Sequence, residues 1–422
     1  MIQGKLGRRR LMQGAAIAGA AGAGAAGAGS VAVAQGRPVQ MISHRYPALE
    51  FWASKMKTAI PGVEVNTQLM PFDKALELLT IALSAKADTV DIVYASDATV
   101  QTFAKNGWLR PLDDLWAKFR AEFKLEDYPE HVLDNFRYQG KLYVLPANLN
   151  VMFLFYRKDI FEQAGVKAPT SIAQFQELAK KFNSPLRAGT VSCLKPVDAG
   201  LNEAHWYLNA LGDGWFDKEW KPIFNQPKGV AAIESLKETV KYAQRSYTAA
   251  ANDECSIAFQ QDAATMGLQW ATRAASMDDP KQSRVVGKFD WVAAPSGRAR
   301  ISGDGYGISA YTKHDPEQLF RIVATATNQA NSREGAALSV PPRASILDDP
   351  EMQAKHRFYP AASAAMKTNL PFPQIPEFYA VGEFITRRVI QAVTGEMAVK
   401  PALDAAAKET EDFLRGRGYY KG

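Results

Sequence analysis

The sequence is poor in the residues that most often hold metal ions, redox centres or catalytic nucleophiles. Two cysteines and five scattered histidines occur among 422 residues. There is no His-Glu-x-x-His, Cys-x-x-Cys, phosphate-binding P-loop or Gly-x-Ser-x-Gly motif. We therefore expect no metal, no cofactor and no catalytic residues. The sequence therefore gives no evidence for a zinc hydrolase, a nucleotide-dependent enzyme or a serine hydrolase.

The two cysteines, Cys193 and Cys255, are too few to form a disulfide framework in a chain of this length. An oxidising compartment would permit them to pair, whereas two buried free thiols are equally compatible with their spacing. The sequence leaves both possibilities open.

Outside its first segment the sequence also lacks a block of like charge. The formal net charge is +6, but residues 1–34 contain Lys5, Arg8, Arg9 and Arg10 and no acid, so the remainder carries only +2. A chain this close to neutral lacks the positive charge that binds the phosphate backbone of a nucleic acid, so we expect no nucleic-acid partner. The length and the 47% hydrophobic content are typical of a soluble globular protein with two domains.

The first segment has the pattern of an export signal. Paired arginines precede Leu11 and Met12, an alanine- and glycine-rich stretch covers residues 14–29, and Ala32-Val33-Ala34 has the small residues of a cleavage site. The pattern predicts a twin-arginine signal peptide over residues 1–34 and a periplasmic protein cleaved near Ala34. An uncleaved membrane anchor is the alternative, which the high glycine content disfavours. No cysteine stands directly after this predicted cleavage site, so we expect no lipid anchor.

The next hundred residues alternate between strand and helix patterns. Strands are predicted at residues 39–43, 63–69 and 90–95, and helices at 48–60 and 73–86. This order predicts an α/β fold with a mostly parallel sheet flanked by helices. Ligands bind such sheets outside the carboxyl ends of the strands, where residues 44–47 and 96–99 form polar loops.

Several segments together resemble the extracellular solute-binding proteins of ABC importers, in the carbohydrate-type family that includes maltose-binding protein. Their order and spacing cover nearly the whole chain after the signal. The segments are Gly140–Tyr143 with Pro146, Tyr156–Phe161 with Ala164-Gly165, Pro169-Thr170, Ala258–Met266 with Trp270, Gly303–Ser309, Pro341 with Arg343, Pro373–Phe378 and Thr394–Glu396. The chain departs from the family at Asn148 and Asn150, where relatives often have an acid, and its tail at residues 416–422 has no familiar motif.

The resemblance implies a periplasmic-binding-protein fold with two lobes, each a mostly parallel sheet flanked by helices, joined by hinge segments around a cleft. We expect the first lobe to comprise residues 37–147 and 297–343, and the second lobe residues 148–296 and 344–422. It also implies a monomer that binds a sugar or polyol, closes about its hinge, and delivers the solute to an inner-membrane ABC permease.

A hydroxyl-rich ligand favours carboxylates, amides and arginines around an aromatic ring. We expect the chain to cross from the first lobe to the second near residues 147–150. In the first lobe and at this crossing we expect ligand contacts from Arg45, Tyr46, Asp97, Asn148 and Asn150. Arg45 could instead cap a helix or face water, Asp97 could cap the helix that follows it, and the two asparagines could be ordinary turn residues.

The remaining candidates come from the second half of the chain. They are Trp206, Trp270, Gly303, Asp304, Tyr306 and Arg343. The tryptophans could be core residues, and which of Glu203, His205 and Trp206 meets the ligand is left open. Gly303 allows close backbone approach, and Arg343 offers a forked donor on a proline-stiffened loop. Phe372 and Tyr379 are weaker aromatic candidates, for which a place in the core is the more common role.

Two other functions stay open at this point. An exported carbohydrate-active enzyme would need two carboxylates about 5–10 Å apart, which a sequence cannot exclude. A binding protein for a metal, polyamine or peptide would need clustered tyrosines and histidines or several carboxylates, which the expected cleft loops do not show.

Overall fold

The computed structural model describes residues 37–420, so the predicted signal peptide lies outside the described residues. Within that range no helix combines the length and the apolar character that a membrane span requires. The ten strands of the described residues form one eight-stranded sheet and one two-stranded sheet. They are β1 (Val39–His44), β2 (Val65–Met70), β3 (Ile92–Ser96), β4 (Arg137–Tyr138), β5 (Lys141–Leu142), β6 (Leu145–Arg157), β7 (Ala188–Thr190), β8 (Ala264–Trp270), β9 (Phe289–Val292) and β10 (Ile301–Ile308).

Helices alternate with the strands along the described chain. They are α1 (Pro47–Lys57), α2 (Phe72–Ser84), α3 (Asp97–Lys105), α4 (Asp113–Phe119), α5 (Glu130–Leu133), α6 (Lys158–Gln163), α7 (Ile172–Phe182), α8 (Asp198–Leu211), α9 (Pro227–Thr239), α10 (Asn252–Gln260), α11 (Pro316–Ala326), α12 (Gln329–Gly335), α13 (Ala344–Leu347), α14 (Pro350–Lys355), α15 (Tyr359–Met366), α16 (Phe378–Thr394) and α17 (Val399–Gly416). Short 3-10 turns lie at Leu125–Asp127, Asp134–Phe136, Val240–Tyr242, Ala271–Arg273 and Ala275–Met277.

The strand order in the main sheet is β2-β1-β3-β10-β6-β8-β7, with β9 also paired to β6. The predicted β-α-β-α-β start is present, with β1 parallel to both β2 and β3. The sheet as a whole is mixed, because β10 runs antiparallel to β3 and to β6, and β6 runs antiparallel to β8 and β9. The alternating β/α pattern of the first hundred residues could not show these later antiparallel pairings.

The long strand β6 joins the two halves of the molecule. Its first half, up to Val151, pairs with β10, and its second half, from Met152, pairs with β8. The predicted crossing at residues 147–150 therefore lies in an extended strand rather than in a turn. The exact lobe boundaries stay a prediction.

Separate hydrophobic cores define the lobes. One core is built from residues within 39–147 and 306–326, and we call the structure around it the first lobe. A second core draws nearly all its members from residues 152–299 and 372–414, and it defines the second lobe. A third core packs against the middle of β6 and includes residues of α13, α14 and α15. The two-lobed α/β fold expected from the sequence is thus present.

The two cysteines form a disulfide in the second lobe. Cys193 and Cys255 have Cα atoms 6.3 Å apart and enclose a sequence separation of 62 residues. The bond ties the loop before α8 to helix α10, and both of these segments approach the other lobe. The alternative of free thiols, which the sequence left open, does not apply.

Candidate functional site

A polar cavity lies where the two lobes meet, beside β6 and β10. The space between its walls is about 490 Å³, part of which is open to solvent. Its wall is His44, Tyr46, Phe72, Tyr94, Ser96 and Asp304 from the first lobe, Asn150 from β6, Arg300 and Ser302 from the start of β10 and the residue before it, and Asp198, Asn202, Asn252, Trp270, Thr272, Arg273 and Tyr379 from the second lobe. The cavity therefore takes side chains from both lobes.

In the first-lobe wall, Asp304 is held by two tyrosines. Tyr46 and Tyr94 donate their hydroxyl protons to its two carboxylate oxygens over 2.6 Å and 2.5 Å. Asn148 lies behind them and donates to the Tyr46 hydroxyl and to Asp304 over 3.0 Å and 3.2 Å. Burial raises the pKa of Asp304, while the hydrogen bonds from the tyrosines act in the opposite direction. The carboxylate is fixed in one orientation at the end of the cavity.

At the crossing, Arg300 is held from behind by Asp97. Arg300 Nη2 donates to both Asp97 oxygens over 2.8 Å and 3.0 Å, and Ser302 Oγ donates to Asp97 over 2.6 Å. The guanidinium also stacks on the Phe372 ring at 4.0 Å. Both charged side chains are buried, with 2% and 1% exposure. Arg300 Nε and Nη1 have no hydrogen-bond partner among the described residues, so two buried donors remain free beside the cavity.

In the second-lobe wall, Asp198 is surrounded by hydrogen-bond donors. Tyr379 donates to its Oδ1 over 2.9 Å, and the amides of Asn202 and Asn252 donate to its Oδ2 over 3.1 Å and 3.3 Å. Burial raises the pKa of Asp198 to about 6, although the Tyr379 hydrogen bond and Arg300 lower it. Asn202 Oδ1, which is buried, has no partner within residues 37–420.

Trp270 and Arg273 complete the wall where β8 ends. Trp270 is the last residue of β8, and only 7% of it is exposed. Arg273 donates to Asp253 over 2.7 Å and lies 5.2 Å from the centre of the Tyr46 ring, a cation–π contact that joins the two lobes. The indole supplies an apolar face of the kind on which a carbohydrate C–H surface packs.

Charged side chains of both signs line the cavity. They are Arg273, Arg300, Asp198 and Asp304. The pKa of His44 is lowered to about 3, mainly because protein encloses the ring and further because Arg273 is near, so the imidazole is neutral at physiological pH. No group of three or more candidate metal ligands occurs in the part of the chain that the structure describes. The chemistry of the wall suits a neutral ligand with many hydroxyl groups.

The predicted site residues divide into three groups. Tyr46, Asn150, Trp270 and Asp304 line the cavity, and Asp97 and Asn148 lie directly behind it. The cap of α3 is Ser96, which accepts from Thr99 N over 3.3 Å. Asp97 is therefore free to hold Arg300, and the capping interpretation is wrong. The remaining candidates, Arg45, Trp206, Gly303, Tyr306 and Arg343, do not line the cavity. Whether any residue contacts a ligand stays a prediction.

Two of the misplaced candidates are structural residues of the interior. Trp206 is 1% exposed, and its indole N–H donates to the Pro295 carbonyl over 3.0 Å. Arg343 is fully buried and donates to the carbonyls of Thr327 and Lys124, each over 3.0 Å. Their polar groups are already satisfied inside a lobe, which removes both from the cleft.

The other three candidates do not line the cavity, each for a different reason. Arg45 is exposed to solvent, although its neighbour Tyr46 is buried. A Cβ atom on Gly303 would lie 2.7 Å from the Phe136 ring, so this glycine makes room for a side chain instead of a ligand. The Tyr306 hydroxyl lies 3.5 Å from Ser43 Oγ on β1. Tyr306 shares the face of β10 on which Asp304 lies, but it is two positions further along the strand and does not line the cavity.

Comparison with known proteins identifies the family of this chain. Residues 44–331 match the family model for bacterial extracellular solute-binding proteins. The chain is similar to a mannitol-binding protein from Pseudomonas aeruginosa, with 24% identity over 392 residues that cover 86% of this chain and 88% of that protein. It is also similar to a multiple sugar-binding protein from Streptococcus mutans, with 24% identity over 63% of this chain and 65% of that protein.

Solved structures show the same fold. A solute-binding protein of an ABC transporter from Agrobacterium radiobacter, in complex with ribitol, superposes with a TM-score of 0.81 and 25% identity, and the match covers 90% of this chain and 99% of that one. A solute-binding protein from Agrobacterium vitis with bound D-mannitol gives a TM-score of 0.82 at 22% identity over 91% and 100% of the two chains. This protein belongs to the family of bacterial extracellular solute-binding proteins.

Proposed function

We propose that this protein is the periplasmic binding component of an ABC importer and that it captures a neutral polyol or small sugar in the cavity between its lobes. Residues 1–34 would direct its export through the twin-arginine route, and the loaded protein would deliver the solute to an inner-membrane permease. The protein would return its ligand chemically unchanged, in keeping with relatives that are binding proteins.

One observation carries the proposal: buried polar atoms beside the cavity lack partners. Arg300 Nε and Nη1 and Asn202 Oδ1 have none within the described part of the chain. A buried donor or acceptor without a partner costs about 1–3 kcal/mol. A hydroxyl group donates and accepts at once, so two or three adjacent hydroxyls on one ligand can satisfy both kinds of atom.

The ion pairs already present argue against an anionic ligand. Arg300 already has Asp97 as its counterion, and Arg273 has Asp253. A carboxylate or phosphate would add an unpaired negative charge close to Asp198 and would therefore be disfavoured. The similarity to proteins bound to ribitol and D-mannitol adds support for a linear polyol.

Isothermal titration calorimetry with D-mannitol, D-sorbitol, ribitol, D-glucose and maltose tests the proposal. We expect saturable one-to-one binding of at least one of these five ligands. Asn202→Ala removes a cavity amide and should weaken that binding about tenfold, the effect of losing about 1.4 kcal/mol. Recovery of the unchanged ligand after incubation would separate binding from catalysis.

Asn225→Ala is the matched control. Asn225 is also in the second lobe, but its amide donates to Asp404 over 2.9 Å and it does not line the cavity. We expect this variant to bind like the wild type. Equal loss in both variants would show a general folding defect, and an unchanged affinity in Asn202→Ala would remove the cavity from the account.

A further inference from the structure

Two oppositely charged side chains, one from each lobe, meet near the outer end of the cleft. Lys195 Nζ lies 3.0 Å from Asp73 Oδ2. Asp73 is in the first turn of α2 in the first lobe, whereas Lys195 is in the loop that precedes α8 in the second lobe. They are 122 positions apart in the sequence. The pair therefore exists only because the lobes are brought together.

The pair lies beside the inner cavity and is partly exposed to solvent. Asp73 and Lys195 line a second, outer cavity of about 680 Å³, which shares His44, Asp198 and Arg273 with the inner one. Neither residue lines the inner cavity. Their side chains are 55% and 46% exposed, in contrast to the buried inner wall. A solute that leaves the inner cavity through the outer one passes this pair.

The lysine is carried by a loop that is fixed to its own lobe. Lys195 N donates to the Ala250 carbonyl over 3.0 Å, and Leu194 N donates to the Tyr247 carbonyl over 2.8 Å. The disulfide at Cys193 lies two residues earlier. Asp73 is likewise fixed, because α2 packs on the first-lobe core through Ala75. When the lobes separate, neither residue can follow the other, and the ion pair must break.

We propose that Asp73 and Lys195 form an interlobe latch that slows the release of the bound solute without selecting it. The latch rests on the proposed function, since it retains something only if the cleft holds a solute. It leaves the hydroxyl-binding groups at Arg300 and Asn202 untouched, so its loss changes mainly the dissociation rate. The exposure of both side chains limits the effect and makes it sensitive to salt.

The test is stopped-flow dissociation of whichever probe among D-mannitol, D-sorbitol, ribitol, D-glucose and maltose binds the wild type most tightly. Lys195→Met should raise the dissociation rate about two- to fivefold at low ionic strength, the usual range for an exposed ion pair. Adding Asp73→Asn should raise it no further, because the interaction is already lost. The exchanged pair, Asp73→Lys with Lys195→Asp, should restore slow release.

Salt and a matched lysine give the controls. Since the screening length is about 10 Å at 0.1 M ionic strength, added salt should speed wild-type release more than release from Lys195→Met. Lys228→Met breaks a similar exposed pair with Asp213, 2.8 Å apart and wholly within the second lobe, and should leave the rate unchanged.

A wild-type rate in Lys195→Met, or the same acceleration in Lys228→Met, would overturn the latch while leaving the proposed function intact. If no probe binds the wild type, the proposed function fails and the latch fails with it. The calorimetric titration of the wild type with the five probes therefore distinguishes failure of the latch from failure of the proposed function.

Discussion

Replacing Asp97 by alanine should destabilise the protein strongly, because it leaves Arg300 buried without its counterion. The two hydrogen bonds of 2.8 Å and 3.0 Å from Arg300 Nη2 to Asp97 would be lost. Removing one partner of a buried ion pair costs about 3–5 kcal/mol. We expect the lower end, about 3 kcal/mol, because Asp198 is close enough to Arg300 to interact with its charge.

Urea denaturation of the ligand-free protein measures this loss. Asp97→Ala with Arg300→Met should recover more than half of it, since the double variant has no unpaired buried charge and a methionine can still pack on Phe372. Asp213→Ala, which removes half of an exposed pair, should stay within about 0.5 kcal/mol of the wild type. A loss below about 1 kcal/mol in Asp97→Ala, or a double variant no more stable than the single one, would refute the reasoning.

Two further perturbations test the second lobe. Burial raises the pKa of Glu203 from 4.5 to about 7, so the folded protein keeps a proton that the unfolded chain has lost in this window. The contribution of this carboxyl group to the free energy of unfolding should therefore fall as the pH rises from 4.5 to 7. Glu203→Gln should reduce that fall by about 3 kcal/mol in denaturation curves measured across the window, and parallel curves for variant and wild type would contradict this. Cys193→Ala with Cys255→Ala opens a disulfide across 62 residues and should lower the free energy of unfolding by about 2–4 kcal/mol in urea, whereas equal midpoints and slopes would show that the disulfide contributes nothing.

The sequence predicted the fold well because hydrophobic periodicity is a local property. The first strands and helices follow from alternation and from the spacing of leucines, as in α2 with Leu79 and Leu83 on its buried face. Local sequence patterns could not predict the pairing of β6 with β10 and β8, because it depends on residues more than a hundred positions apart. The resemblance supplied the two-lobed arrangement.

The cavity was predicted less completely, for a physical reason that differs between residues. Tyr46 follows the first predicted strand, and Asp304 lies in one of the segments that resemble the family. The sequence could therefore identify both residues as candidates. Asp198 and Asn202 start a helix that is buried over nearly all its length, so no polar face marked the side turned to the cavity. The role of Arg300 is set by Asp97, 203 positions away. In contrast, Arg343 has the same chemistry as Arg300 but meets backbone carbonyls inside a lobe.

The most direct test is the crystal structure of the protein with the tightest-binding probe from the calorimetric panel. The account predicts one ligand molecule enclosed between the lobes, with hydroxyl groups within hydrogen-bond distance of Arg300 and Asn202 and a carbon face against Trp270. A ligand bound outside this cavity, or one inside it that contacts only a single lobe, would contradict the account.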